Sequence, residues 1–284
     1  MLRSTIFSLA LAAGLTAQAP DCFTNLVPNG GFENLFPNAW VFSGSGTGNF
    51  PVTANVRGDG DSSALVVNNS GAYTLTQPTA FSLVAGQEYR ISVDVLRSTV
   101  SFTLSATLVD AMGGTTSVLS RSVGDTGNQF FRTQVADVFV APASGLFSLE
   151  LNGTRSTGRA GQTFFDNIEI TESGGPSFFI TESFLRTGPA NPNAYRIVGL
   201  PGDLTAVLIS TGTGAPISVP GFGAVPLLLD TNVIITAVPP TFLDGAGELT
   251  GLIPISTAIS GFRLAFQPLS INTLSFGCPT QIVF

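Results

Sequence analysis

The amino-acid sequence predicts an all-β protein made of two β-sandwich modules behind an N-terminal signal peptide. Short apolar segments alternate with polar residues at a period of two, which is typical of strands with one buried face. Glycine, proline and small polar residues separate these segments, and no apolar stripe of helical period follows the first 19 residues. Short strands with turn-rich joints favour antiparallel sandwiches.

Residues 1–19 have the three-part layout of a secretory signal. Arg3 supplies the positive start, residues 6–15 form a short apolar run, and small residues follow. The run is too short to cross a bilayer, because a transmembrane helix needs about 20 apolar residues. We expect cleavage after Ala19, or alternatively after Ala17. The mature protein is then secreted or at the cell surface, without membrane insertion.

The charge pattern argues against several classes of function. The chain has no His, its 11 cations are all Arg, and its net charge is −7. Basic patches that bind nucleic acid or anionic lipid are therefore not expected. Without His, the usual Ser–His–Asp and Cys–His catalytic systems and the commonest zinc ligand are missing. Neutral polymers, calcium and carboxylate chemistry remain, and without a recognisable nucleophile motif we expect a protein that is not an enzyme.

Cys22 and Cys278 are the two cysteines of the chain. In an exported protein such a pair can oxidise, and the bond would join the start of the mature chain to the end of the second module. The alternative is two unpaired thiols, one of them in a frayed terminus. We favour the disulfide, because a free exposed thiol is a liability outside the cell.

The clearest strands lie in the first half of the chain. Residues 89–95 alternate strictly between apolar and polar. Residues 100–108 have one apolar face and one face of Ser and Thr, and we expect them to be the partner strand. Residues 110–114 predict a hairpin turn between strands 101–109 and 115–121.

A segment of linker composition, residues 172–176, marks the predicted domain boundary. It separates a first module, residues 23–172, from a second module, residues 177–284, which carries little charge. The apolar pattern of the second module predicts strands at 178–185, 195–198, 204–210, 215–219, 226–229, 233–238, 262–266, 273–276 and 281–284.

Three segments of the first module carry a family resemblance. They are NLVPNGGFEN at residues 25–34, followed by Trp40, then DSSALVV at residues 61–67, and FDNIEI at residues 165–170. In this order they resemble secreted galactose-binding-like jelly-roll domains, which include carbohydrate-binding modules of the cellulase and xylanase accessory type. The second segment lacks the glycine usual in that family. The resemblance implies a jelly roll over residues 23–172, with a glycan or polysaccharide as ligand and Trp40 packed beneath the first loop.

The resemblance also implies a structural calcium, because family members often hold one between acidic residues of the first and last strands. Glu33 and Asp166 are the matching positions. Calcium takes about six to eight oxygen ligands. The carbonyl of Gly30 and the carboxylate of Asp61, or of Asp59 instead, are further candidates.

The sequence around Asp166 marks this carboxylate as unusual, independently of the family resemblance. It shares its alternation with Phe164, Ile168 and Ile170 and is therefore predicted to face the core. A buried carboxylate needs a partner, since burying a lone charge is very costly. Calcium is one such partner, and backbone amides or an Arg are the alternative.

Five residues of the first module are candidates for ligand contact. Tyr73 is the best candidate for an exposed stacking residue, because sugar sites on jelly rolls stack rings on aromatic side chains. Arg90, Asp94, Arg132 and Gln134 are predicted to line a water-facing sheet surface, although each also fits an ordinary solvated face. The single Trp and three Tyr count against tight polysaccharide binding.

The second module resembles, more loosely, C-terminal β-sandwiches of secreted planctomycete and myxobacterial proteins. The carrying residues are DGAG at 244–247, Ile253 with Pro254, and GFRLAFQ at 261–267. We expect this module to be structural. Together, these features predict a secreted, non-catalytic carbohydrate-binding protein with a structural calcium. The alternative is a structural or adhesive extracellular protein without a specific sugar site.

Overall fold

The structure is a computed structural model that describes residues 21–32, 40–45, 47–53, 62–68, 71–97, 102–123, 131–155, 161–180, 193–254 and 263–283. All regular secondary structure in these ranges is β-strand, which confirms the predicted all-β fold. The same ranges contain no helix with the length and apolar character that crossing a membrane requires. The predicted signal peptide lies outside the described residues.

The strands before residue 173 form two antiparallel sheets. They are β1 (Val41–Gly44), β2 (Thr47–Thr53), β3 (Ser62–Asn68), β4 (Gly71–Leu83), β5 (Glu88–Arg97), β6 (Phe102–Asp110), β7 (Thr115–Val123), β8 (Phe131–Val140), β9 (Gly145–Arg155) and β10 (Gly161–Glu172). Sheet A has the order β1-β4-β9-β6-β7, and sheet B has the order β2-β3-β10-β5-β8.

One hydrophobic core lies between sheets A and B. Its members include Leu75, Leu104 and Leu149 from sheet A, and Ile91 and Val93 from sheet B. Fully burying a side chain of this kind stabilises the fold by about 1.5–3 kcal/mol. The two sheets therefore form a β-sandwich, called the N-terminal sandwich below, in which alternate side chains of each strand face away from the core.

The expected pairing of residues 89–95 with residues 100–108 is wrong. Strand β5 lies between β10 and β8 in sheet B, whereas β6 lies between β9 and β7 in sheet A. The chain thus passes from one sheet to the other after Arg97 instead of folding back as a hairpin. Alternation gives each strand a buried face, but it does not determine which sheet the strand joins.

The hairpin predicted at residues 110–114 is confirmed. Strands β6 and β7 pair antiparallel across this turn. Asp110 Oδ1 accepts hydrogen bonds of 2.8 Å from the backbone N–H groups of Met112 and Gly114. An Asp that binds the backbone of its own turn is a common way to stabilise such a turn.

Within the described residues, ten further strands follow residue 176. They are β11 (Ser177–Ile180), β12 (Asn193–Val198), β13 (Leu204–Ser210), β14 (Thr213–Ile217), β15 (Leu227–Leu229), β16 (Ile235–Phe242), β17 (Glu248–Ile253), β18 (Arg263–Ser270), β19 (Ser275–Phe276) and β20 (Thr280–Val283). They form the sheets β11-β12-β17, β16-β13-β18-β19 with β20 beside β18, and β14-β15. Strands β11–β20 are called the C-terminal strands below.

Strand β17 is absent from the sequence prediction. Its sequence, ELTGLI, contains a glycine, and glycine weakens a strand signal. The structure places it because each of its residues pairs with one residue of β12. Among the described strands, none is shared between the sheets before and after residues 173–176. The division into two domains stays a prediction, because a disulfide and several side chains also connect the two halves.

Cys22 and Cys278 form a disulfide with their Cα atoms 5.3 Å apart. It lies beside the end of β10, where the Asp21 backbone N–H donates to Glu172 Oε2 at 2.9 Å. Both cysteines are buried in an apolar cluster with Val225, Leu228 and Phe276. The bond therefore fastens the C-terminal strands to the end of the N-terminal sandwich.

Candidate functional site

The outward face of sheet B brings together three of the five predicted ligand residues. Asp94 lies in register with Gln134 of β8 on one side and with Asp166 of β10 on the other. Arg90, four residues before Asp94 on β5, faces the same way by alternation. Arg132 is in register with Leu96, and its side chain lies outside the described residues.

This face does not meet water as predicted. Asp94 is 0% exposed, Arg90 is 7% exposed and Gln134 is half-buried. The C-terminal strands lie over this face at Arg90. Arg90 Nη1 donates to Thr280 Oγ1 at 2.7 Å. The Arg90 guanidinium also lies over the Phe179 ring, 5.9 Å from its centre. We call this surface the covered face, and its burial argues against a solvated sugar groove at these residues.

A second arginine fastens the C-terminal strands over the covered face. Arg196 of β12 donates through Nη2 to the carbonyl of Ala136 on β8 and lies 3.3 Å from Asp137 Oδ1. Its Nη1 lies 3.0 Å from Glu248 Oε1 of β17. Arg121 Nη2 completes the network at 2.8 Å from Asp137 Oδ2. Two cations and two carboxylates thus connect strands β7, β8, β12 and β17.

Tyr73 is not an exposed stacking residue. It is 2% exposed, because on β4 it shares its alternation with Leu75 and points into the core between the sheets. Its ring centre lies 6.1 Å from that of Phe165. A side chain at Gly153 would overlap the Tyr73 ring, so the glycine makes room for it. The prediction is wrong because a lone Tyr on an alternating strand is as easily buried as exposed.

Trp40 has the structural role predicted for it. It is buried, its Nε1 donates to the carbonyl of Asn29 at 3.0 Å, and its ring centre lies 5.2 Å from that of Phe32. Trp40 therefore packs beneath the loop that precedes β1.

Asp166 faces away from the core, contrary to its predicted orientation. The register of β10 against β5 shifts between Asp166 and Glu169, and Asn167 has a φ of 44°. Such a bulge inserts a residue and reverses the alternation of the strand. Phe165 therefore faces the core before the bulge, and Ile168 faces the core after it. Strict alternation through this segment misplaced the carboxylate.

The described residues do not by themselves make the predicted calcium site. Glu33 and Asp61 lie outside them. The Gly30 carbonyl accepts the backbone N–H of Ile168 at 3.0 Å, and Asp166 Oδ1 accepts that of Asn167 at 2.8 Å. Within the part of the chain that the structure describes, no three His, Cys, Asp or Glu residues cluster as a metal site would require. A calcium at these positions stays a prediction.

The outward face of sheet A, in contrast, is open to solvent. Register places its side chains in straight rows across the strands, and all but Val41 and Ala72 are polar. The first row is Ser43, Thr74, Asn152, Ser105 and Ser120. The second row is Val41, Thr76, Glu150, Thr107 and Ser117. The third row is Ala72, Thr154, Thr103 and Ser122.

All these side chains are exposed or half-buried, and we call their surface the open face. Glu150 carries the one charge among these fourteen residues, and none of them is aromatic. Neighbouring strands lie about 4.8 Å apart, and rows two residues apart are separated by about 6.7 Å. The Thr74 hydroxyl donates to Asn152 Oδ1 at 2.7 Å, so neighbours in a row can hydrogen-bond. The Ser/Thr face of residues 100–108 was the sequence signal for this surface.

No protein-family model matches the chain, and no curated protein matches it in sequence. Solved structures that resemble it include a family 61 carbohydrate-binding module in complex with β-1,4-galactotriose, at a TM-score of 0.39 and 16% identity over 52% of this chain and 99% of that one. The N-terminal cellulose-binding domain of Cellulomonas fimi β-1,4-glucanase C has a TM-score of 0.37 and 14% identity over 52% and 97%.

A third similar structure is the family 22 binding module and catalytic module of Clostridium thermocellum xylanase 10B, complexed with xylohexaose. Its TM-score is 0.39, and the identity is 23% over 53% of this chain and 29% of that one. At such scores the likeness does not indicate which residues of this chain bind a ligand. A function therefore has to follow from the chain's own residues, because one fold hosts many functions.

Proposed function

We propose that the chain is a secreted, non-catalytic glycan-binding protein whose contact surface is the open face of sheet A. The observation that carries the proposal is the continuous array of hydroxyl and amide groups across five strands. Hydroxyl and amide side chains both donate and accept hydrogen bonds, as sugar hydroxyls do. The near absence of charge fits a neutral polysaccharide better than an acidic one.

The geometry of the open face favours a long ligand over a short one. Its rows repeat in two directions, so an extended chain can contact several rows at the same time. Each contact is weak, because the rows offer no aromatic ring for stacking. Weak contacts that are linked through one polymer bind much more tightly than a single contact does. We therefore expect affinity to rise steeply with oligosaccharide length.

The absence of catalysis is part of the proposal. Retaining glycosidases need two carboxyl groups about 5–5.5 Å apart, and inverting enzymes need two about 6.5–9.5 Å apart. The rows of the open face contain the single carboxylate of Glu150. The chain also has no His to act as a general base.

A structural or adhesive role is the second candidate, and the covered face favours it. Arg90, which the sequence assigned to ligand binding there, contacts Thr280 and Phe179 of the C-terminal strands. If the open face contacts water and binds no ligand, the chain has a structural role at the cell surface or outside the cell.

The deciding experiment is affinity electrophoresis of the full chain through gels that contain neutral polysaccharides such as xylan, β-glucan and β-galactan. We expect retardation by at least one of them. Thr107→Arg, in the middle of the open face, should lower the affinity for that polysaccharide about tenfold. This loss corresponds to about 1.4 kcal/mol of binding free energy. Thr236→Arg, an exposed threonine of β16, is the matched control and should bind normally.

Each other outcome contradicts a named part of the proposal. If no neutral polysaccharide slows the migration of the chain, glycan binding is contradicted and the structural role remains. Equal retardation of Thr107→Arg and the wild type would remove the open face as the site. Release of reducing ends from a bound polysaccharide would show catalysis.

A further inference from the structure

A cavity of about 240 Å³ lies at the junction between the N-terminal sandwich and the C-terminal strands. We call it the junction cavity. Its lining includes Glu88 and Val138 of the sandwich, Pro176 of the connecting segment, and Asp203, Thr273 and Ser275 of the C-terminal half. It belongs to neither the open face nor the covered-face contacts of Arg90 and Arg196.

Asp203 is the unusual residue of this cavity. It is 5% exposed, and its Oδ1 accepts no hydrogen bond from the described residues. Buried polar atoms in proteins are nearly always hydrogen-bonded, and a buried carboxylate without compensation is very costly. A ligand that enters the cavity is the simplest source of that compensation.

Glu88 brings a second carboxyl group to the same cavity. It is exposed to solvent where it lines the cavity, and its Oε1 accepts a hydrogen bond of 2.8 Å from Ser173 Oγ. Partial desolvation raises the pKa of the Glu88 carboxyl above its ordinary value, although the bond from Ser173 opposes the shift. The cavity therefore holds two acidic groups, and none of its described lining residues is an Arg that could neutralise them.

The polar side-chain atoms of the described lining residues are all oxygens. Besides the two carboxyls these are the hydroxyls of Thr273 and Ser275, which lie 2.7 Å apart. Apolar walls are added by Val138, Pro176, Val198 and Leu200. Oxygen donors with two negative charges suit a hard divalent cation such as calcium, which takes about six to eight oxygens and keeps water among them. Since a water occupies about 30 Å³, a cavity of this size has room for an ion with several waters.

We infer that the junction cavity is a calcium site, held by Glu88 from the N-terminal sandwich and Asp203 from the C-terminal strands. The bound ion neutralises the buried carboxylate and adds a link between the two halves of the chain to those made by the disulfide, Arg90 and Arg196. This inference is independent of glycan binding, and its site is separate from the calcium predicted near Asp166.

The test uses the full-length chain after removal of metals with a chelator. Calcium is titrated by calorimetry into the wild type, Asp203→Asn, Glu88→Gln and Asp166→Asn. We expect the first two variants to bind calcium at least about tenfold more weakly, because each removes one ligand charge. Asp166→Asn is the matched control, an Asp→Asn change at another buried carboxylate, and should keep this binding event.

Thermal unfolding gives a second readout. Calcium should reverse the order of stability of the wild type and Asp203→Asn. Without calcium, Asp203→Asn should unfold at the same temperature as the wild type or higher, because it removes an uncompensated buried charge. With millimolar calcium the wild type should be the more stable, since a ligand that binds the folded state raises stability as RT ln(1 + [L]/Kd). A merely structural role of Asp203 predicts the same order under both conditions.

Three results would overturn the inference. They are a wild type that binds no calcium, an Asp203→Asn variant that binds as tightly as the wild type, and a loss of all binding in Asp166→Asn while Asp203→Asn retains it. If Asp203→Asn does not fold, Glu88→Gln at the cavity mouth decides by the same criteria.

Discussion

The outward faces of sheets A and B follow the same alternation of polar and apolar residues, but they meet different surroundings. The open face of sheet A carries Ser, Thr and Asn and meets solvent. The covered face of sheet B carries Arg90, Asp94 and Asp166 and lies largely buried. The more strongly charged face is thus the less exposed one.

This difference shows what kind of partner each face has. Charged groups are rarely buried unless they are paired. On the covered face, Arg90 contacts Thr280 and Phe179, and at the neighbouring edge strand β8 Arg196 contacts Asp137. Small neutral side chains on the open face need no fixed partner. We therefore place the contacts with the C-terminal strands on sheet B, and we propose ligand contact for sheet A.

The largest loss of stability should come from a new charge on the covered face, compared with the same charge placed on the open face. Ala136→Arg puts an arginine on the covered face, at a residue 5% exposed beneath the C-terminal strands. We expect a loss of about 4 kcal/mol in the free energy of unfolding, because the change overpacks a buried site and buries an unpaired charge.

Ser105→Arg is the matched change on the open face, where we expect an effect within about 0.5 kcal/mol. Urea unfolding of both variants measures the difference. Equal losses for the two variants would contradict the contrast between the faces.

A smaller loss should follow removal of the disulfide beside the covered face. We expect Cys22→Ser with Cys278→Ser to lose about 3 kcal/mol of stability, because the bond closes a long loop and limits the unfolded chain. The bond spans 256 residues of sequence. Thermal unfolding with and without reductant tests this change.

In that measurement, reductant should lower the unfolding midpoint of the wild type and leave that of the double variant unchanged. A wild type that is insensitive to reductant would show that the bond contributes nothing to stability.

The smallest of these effects is the difference in stability loss between alanine variants of two arginines in one ion network. Arg196→Ala leaves Asp137 and Glu248 without their buried cation, and we expect a loss of about 2 kcal/mol, below the range for fully buried pairs because both carboxylates are partly exposed. The side chain of Arg196 is 7% exposed, whereas that of Arg121 is 38% exposed.

Arg121→Ala is therefore the control, and the loss should stay below about 1 kcal/mol, as for exposed pairs. Chemical unfolding of both variants at low and high salt gives the comparison. If Arg121→Ala costs as much as Arg196→Ala, the covered face is not fastened mainly through Arg196.

Several elements of the fold could be predicted from the sequence, because they depend on local patterns. The Asp110 turn and the strands on either side of it follow from turn residues and alternation. Trp40 lies buried beneath the first loop, as the family pattern implies. The pairing of β5 was not predictable in this way, since alternation is the same for a strand in either sheet.

The candidate site was harder to predict, because it depends on single irregularities and on distant partners. The bulge after Asp166 turns that carboxylate outward, and Tyr73 lies inward because of its place on β4. The rows of the open face were visible as a Ser/Thr face within one segment. Their continuation through Asn152 and Thr74 required the register of two more strands, β9 and β4.

The sequence by itself determined that the protein is built of strands, because a period of two in hydrophobicity gives each strand an inner and an outer face. It also determined the two cysteines and the low content of charged residues. Only the tertiary structure decided which outer face meets water. The layer that covers sheet B comes from β11, β12 and β20, and the contact of Arg90 with Thr280 joins residues 190 positions apart. A local pattern carries no information about a partner so far along the chain.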